Sequence, residues 1–342
     1  MLTRNMTGAG SGSLLRALTL AVSVLAVGSI GATSAIAQDM KAPEGEIDLT
    51  VGAGPGSGPD LTQRRVADIL NKEGIVPNPI VVNNRTGGGW TVASQYVIDH
   101  KGDENLLFGM SPTVFATPIV RGVPNFYEQF TPLAVLIAAD LLIVVSADSP
   151  YQSLQELVDA AKKEEGSISV AGANVGSTDH IVTTLLEEAA GVKLNFVPFD
   201  GGGGQITSAV LGGAANIGIY PPDEALSLIE GGKFRPLAIL SEERHPSPKF
   251  SEIPTAKEQG FDIVWDSPQS LALPGDVDPA LVAWWDDKIG QMVKSAAWQQ
   301  VVEDNYYRDA YVPQAEAKAA MDGLYERYHT VLNKLGLAKP QQ

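Results

Sequence analysis

The sequence predicts an α/β fold on mainly parallel sheets, and three features carry that expectation. Short β-branched runs alternate with helical patterns through most of the chain, the order that layered α/β proteins show. Glycine-rich turns stand where a run of the first kind hands over to one of the second. Once a leader is set aside, about 300 residues remain, enough for two domains of ordinary size.

The leader comes first in chain order. Residues 1–37 carry only Arg4 and Arg16 as charges, then an apolar run from Leu18 to Ile30 and small residues ending Ala35-Ile36-Ala37. That pattern predicts a secretory signal cut after Ala37, because the run is short of the ~20 apolar residues of a spanning helix and is diluted by Gly, Ser and Thr. The expected compartment is the periplasm. With no cysteine in the chain, neither a lipid anchor at a cysteine nor a disulfide is open to it.

Strands are expected at "IDLTVG" (47–52), "PIVVN" (79–83), "NLLFGM" (105–110), "LLIVVS" (141–146), "SISVAG" (167–172), "LNFVPF" (194–199), "NIGIY" (216–220) and "RPLAIL" (235–240). Helical patterns lie between them. "SLQELVDAAKKEEG" opens with a capping box, Ser153 with Glu156 three residues on. "STDHIVTTLLEEAAG" has Ser177 or Thr178 to cap its start and Gly191 to stop it. From about Pro279 the alternation gives way to helices only, where Trp284, Trp285 and Trp298 read as packing residues rather than an aromatic cage.

A net charge of −16, falling to −18 when the leader's two arginines are lost, argues against nucleic acid or an anionic membrane as partner. An anion bound by such a chain must be drawn by local dipoles. Three turns have the geometry for it: Gly54 to Asp60, Gly172 to His180, and Gly201 to Gly204, each following a strand and opening a helix. Several such ends converging across a cleft suit a ligand with more than one carboxylate. Nucleotide fits poorly. "VGAGPGSGPDL" puts Ser57 at the third glycine position, Asn83 and Asn84 replace the ribose acid, and "GGGGQIT" lacks the Lys-Ser/Thr of a P-loop.

Catalytic constellations are thin. The four histidines show no metal spacing, and no metal or cofactor is expected. Asp60 reads as a helix-start carboxylate beside Pro59, while His180 divides evenly between a polar surface role and a ligand contact. Arg64 and Arg65 lie past the first turn, where their heads can reach solvent. Ser111, in half of a nucleophile elbow that Thr113 leaves incomplete, is a hydrogen-bond donor more often than a nucleophile.

The turns also carry a family likeness over nearly the whole mature chain. "PGSGPDLTQR" (55–64), "VVNNRTGGGWTVASQYV" (81–97), "AGANVGSTDHI" (171–181), "FVPFDGGGGQITSAVLGG", "GGKFRPLAILSEER" and "SEIPTAKEQGFD" occur in the order seen in the Bug, or TctC-like, periplasmic receptors, which deliver organic acids to tripartite tricarboxylate transporters. The chain resembles that family, departing from it at Ser57, Gln63 and Thr86. The resemblance implies a two-domain Venus-flytrap fold without catalysis, its ligand held by backbone N–H groups from both domains. Domain one would span 39–140 plus 266–342 and domain two 141–265. It implies a pocket drawn from Gly56, Ser57, Gly58, Asp60, Ser111, Thr113, Gly176, Ser177, Thr178, His180, Gly202, Gly203 and Gly204. The expected ligand is a small organic di- or tricarboxylate, and the expected partners are membrane transporter subunits of a monomeric receptor. Two other readings remain: an exported hydrolase using Ser111 or Ser177 with His180, and a sensor partner for a membrane kinase.

Overall fold

In the computed structural model, residues 40–199 and 203–341 are described; the expected leader and Gly201 and Gly202 lie outside them. The chain runs β1 (Ile47–Val51), α1 (Gly58–Lys72), β2 (Ile80–Asn84), α2 (Thr91–Asp99), β3 (Leu106–Met110), α3 (Thr113–Arg121) and a long β4 (Phe130–Asp140). It crosses at Leu141 into β5 (Leu142–Ser146), α4 (Leu154–Lys163), β6 (Ser169–Gly172), α5 (Thr178–Ala190), β7 (Asn195–Pro198), α6 (Gly203–Leu211), β8 (Ile217–Tyr220), α7 (Pro222–Glu230) and β9 (Phe234–Ile239). It returns through β10 (Asp266–Pro274) to α8 (Pro279–Lys294), α9 (Ala296–Asp304), β11 (Arg308–Val312) and α10 (Gln314–Lys334).

Two sheets result, ordered β11-β4-β10-β3-β1-β2 and β7-β6-β8-β5-β9, each the centre of one lobe. The sequence expectation of mainly parallel sheets holds for strand direction. In the first sheet only β10 and β11 run against the rest, and in the second only β5 does. Because each reversed strand lies inside or beside the parallel set, many neighbouring pairs are antiparallel. The expectation of helices alone after Pro279 is corrected by β11, which pairs with β4.

Local chemistry explains the elements. Helices cover both faces of β1 and β3, so β3 is apolar throughout and wholly buried, and β1 buries all of its five residues but Asp48. At α4 the Glu156 N–H donates to the Ser153 hydroxyl at 3.2 Å while the Glu156 carboxylate accepts from Gln152 N–H at 2.7 Å. Its stripe of Leu154, Leu157, Val158 and Ala161 is buried against the second sheet. Trp284, Trp285 and Trp298 pack in the first lobe's core.

Two features tie the lobes. α10 places Met321 in a first-lobe core and Tyr328 and Leu332 in that of the second. Where the chain crosses, Asp140 ends β4 directly opposite Asp266, which starts β10. Like charges so placed repel. Arg308 answers this by donating to Asp140 at 2.8 Å and Asp266 at 2.5 Å, and Arg327 donates to Asp266 at 2.6 Å.

Candidate functional site

A cavity of about 430 Å³ lies between the lobes, lined from both. Among the helices that start at it are α1, α3, α5 and α6, because Ser57 and Gly58, Thr113, Ser177 and Thr178, and Gly203 all stand in its wall. Their first-turn N–H groups have no intrahelical acceptor, and the helix dipoles make that end positive.

Two of these turns are built alike. In the first lobe Gly56 adopts φ +79°, Ser57 stands at the N-cap of α1 with its hydroxyl donating to Gly54 O at 2.7 Å, and the Asp60 carboxylate accepts from Gly56 N–H at 2.8 Å. In the second, Gly176 adopts φ +86°, Ser177 caps α5 by accepting from His180 N–H at 3.3 Å, and His180 Nδ1 accepts from Gly176 N–H at 3.1 Å. Each is a glycine in the left-handed region, a serine at the N-cap position, and an acceptor four residues after the glycine that locks the turn. Asp60, 1 % exposed, also accepts from Arg64 and Asn84. Burial opposes its charge, but Arg64, the Gly56 N–H and Asn84 together hold its carboxyl below the ordinary value. His180 packs on Phe196, and burial lowers its pKa despite Glu187.

The sequence-derived site residues therefore fall into groups. Ser57, Gly58, Ser111, Thr113, Ser177, Thr178 and Gly203 line the cavity. Gly56, Asp60, Gly176 and His180 stand behind it and shape the turns, and Gly204 is outside the wall. Gly202 lies outside the described residues. Ser111 Oγ accepts only from Thr113 N–H, and Ser177 meets the backbone rather than the ring of His180, so the described residues show no serine–histidine dyad. Arg65 does not reach into solvent as its position suggested. It pairs with Asp223 across the cleft at 2.9 Å.

Several lining residues escaped the sequence reading. Thr86 to Trp90 form a wall in which Gly87, Gly88, Gly89 and Trp90 all have positive φ. Trp90 lies against Gly52, where any Cβ would overlap its ring. Arg121, exposed, makes no ion pair among the described residues. Ser267 and Gln269 come from β10, Tyr307 from the turn before β11, and Asp223 and Glu224 from the start of α7. The "PPDE" segment after β8 did carry a signal, proline then acids at a helix start following a strand.

Glu224 reaches across the cleft to accept from Gly58 N–H at 2.5 Å. Desolvation, reinforced by the charge of Asp223, pushes its carboxyl up to about 8, against the Gly58 N–H and Arg65. Asp179, accepting from Ala173 N–H, is pushed up by burial to about 6.

Residues 62–337 match the family described as "Tripartite tricarboxylate transporter family receptor", TctC. The chain belongs to that receptor family. TctC receptors bind solutes and are not enzymes, so this chain is a solute-binding protein. It is 28 % identical over 94 % of its length to a Cupriavidus necator protein, "UPF0065 protein in gbd 5'region", covering 97 % of that relative. A TctC solute-binding protein from Polaromonas is 26 % identical, with 86 % of this chain and all of that one aligned at a TM-score of 0.62. An R. palustris structure with adipate aligns at a TM-score of 0.80, covering 87 % and 99 % of the two chains at 22 % identity. The two-lobed α/β architecture is thus that of periplasmic binding proteins. No helix among the described residues is long and apolar enough to cross a membrane.

Proposed function

We propose that this TctC receptor captures a small organic acid, of the di- and tricarboxylate class or its near relatives, in the cavity between its lobes. The observation that carries this reading is the convergence of the α1, α3, α5 and α6 starts on one cavity, each a positive dipole end. The residues we assign to ligand contact are Ser57, Gly58, Ser111, Thr113, Ser177, Thr178 and Gly203. The neighbour with adipate supports the ligand class.

Residues 1–37 would direct export to the periplasm and be removed there. The monomeric receptor would then close 39–140 plus 266–342 onto 141–265 and present its solute to the membrane subunits of a tripartite transporter. A thermal-shift screen of the purified receptor against a panel of organic acids tests the reading. A ligand at ~100 times its dissociation constant adds about 2.7 kcal/mol to the folded state, so a true ligand raises the midpoint clearly. A panel of mono-, di- and tricarboxylates, with and without amino groups, that leaves the midpoint unmoved would overturn it.

A further inference from the structure

The cavity is electrically two-ended. One end gathers donors: Asn174 and Arg121 stand so close to the Gly87 to Gly89 turn that a Cβ at Gly89 would lie 3.0 Å from Asn174 Nδ2, and one at Gly88 would lie 3.5 Å from Arg121 Nη1. The other end gathers acceptors. There Glu224 is enclosed by Gly58, Gly203 and Pro221, with Asp223 beside it. Neither group shares a residue with the other.

The cavity wall has acceptor capacity left over. Asp223 uses Oδ2 for Arg65 and the Tyr307 hydroxyl, but its Oδ1 is buried with no hydrogen-bond partner, on a side chain 1 % exposed in the cavity wall. Gln269 donates its amide N–H to Ser267 at 3.2 Å and leaves its buried carbonyl oxygen without a partner in the same wall. A carboxylate ligand has no proton for these oxygens and would meet Asp223 as a like charge. An ammonium supplies up to three donors and a positive charge.

We propose that the solute is an aminocarboxylate, its carboxylate seated at the α5 start and the Arg121 end and its ammonium received by Asp223 and Glu224. This deepens the organic-acid reading and rests on it. The sequence-based expectation of a second carboxylate is replaced, at this end, by a cation. Glu224 supports the assignment: its neighbours are Asp223, Asp179, Tyr220 and Arg65, and it is acids and desolvation that hold its proton on at neutral pH. An arriving ammonium reverses that balance, and the proton leaves to buffer.

Calorimetric titration of the full receptor with matched probes tests the proposal: γ-aminobutyrate and δ-aminovalerate, succinate and glutarate, butyrate and valerate, together with a panel of α-amino acids. An aminocarboxylate is expected to bind about tenfold or more tighter than its dicarboxylate and monocarboxylate counterparts, as a hydrogen bond to a charged group allows. Titration in buffers of different ionisation enthalpy should show proton release on binding. Asp223→Asn should bring the affinities of the aminocarboxylate and the plain acid together, whereas Arg65→Ala, which takes away the cation that Asp223 is paired with, should widen the gap in favour of the aminocarboxylate. Tightest binding of a dicarboxylate, with no proton released, overturns the aminocarboxylate assignment and leaves the organic-acid receptor standing. Binding of simple amines with no dependence on a carboxylate overturns both.

Discussion

Gly203 opens α6 without a side chain, and a Cβ there would stand 2.9 Å from Glu224 Oε2. Gly203→Val therefore drives the Glu224 carboxyl off the Gly58 N–H and into the cavity. The expected outcome is a loss of solute affinity of about a hundredfold with an unchanged circular dichroism spectrum, since a buried hydrogen bond across the cleft is broken while no core residue moves. Solute affinity unchanged in calorimetry would remove Gly203 from the site. Glu224 itself makes stability depend on pH. Its folded-state value of about 8 exceeds the ordinary 4.5, so within that window the folded chain holds a proton that the unfolded chain has released. Stability at this group consequently falls as pH rises through the window. Glu224→Gln should leave the denaturant midpoint nearly unchanged at about pH 5 and raise it at about pH 9 relative to the parent, because the substitution removes an ionisation that only the alkaline side carries. A midpoint gap of the same size at both pH values would contradict this. At this scale the sequence was half legible. Gly-Ser turns at strand ends announce themselves locally, but the partner of Gly58 lies 166 residues away, and nothing in either segment points to the other.

Elements show where pattern reading succeeds and where it stops. The eight strands expected from β-branched runs all formed, with ends shifted by a residue or two. The three that escaped share a cause. β4 is a continuous apolar run holding Pro132, β10 carries Pro268 and Pro274, and β11 opens on exposed Arg308 and Asp309. Register shifts interrupt the ladders of β10 and β11 against β4, so none of the three keeps a clean period of two. Their pairing is set by the long-range return of the chain. At that return the opposed carboxylates of Asp140 and Asp266 depend on Arg308. Arg308→Ala should destabilise the fold by about 1 kcal/mol, a modest figure because the guanidinium is half exposed and solvent screens it. Adding Asp140→Asn should restore most of the loss, which a double-mutant cycle of urea midpoints measures; strict additivity of the two changes would show that Arg308 does not act through Asp140.

For the whole molecule, the crossings at Leu141 and before Asp266, with α10 laid over both lobes, leave the cleft as the natural line of relative motion. Among the described residues two links span it at this wall: Gly58 with Glu224, and Asp223 with both Arg65 and the Tyr307 hydroxyl. Both involve the acceptor end of the cavity, so a solute that engages this end draws the lobes together. Solution scattering should give a smaller radius of gyration with saturating solute than without, and Arg65→Ala should enlarge the solute-free radius. Equal radii in all three states would describe a rigid receptor. Neither contact could be read from the sequence, since each joins side chains from separate lobes.

The paired Gly-Ser turns, one in each lobe, have different locks. An acid holds the first, and an imidazole holds the second. Acidification treats them unequally. Asp60, held below the ordinary carboxyl value, keeps its acceptor until strongly acid conditions, but His180 loses its acceptor once Nδ1 takes a proton below its lowered pKa. Between those two points one jaw stays latched while the other works loose. Amide exchange at Gly176 should therefore lose protection on mild acidification while Gly56 keeps its own, so that a receptor carried into an acid medium would let go from the side of its second lobe.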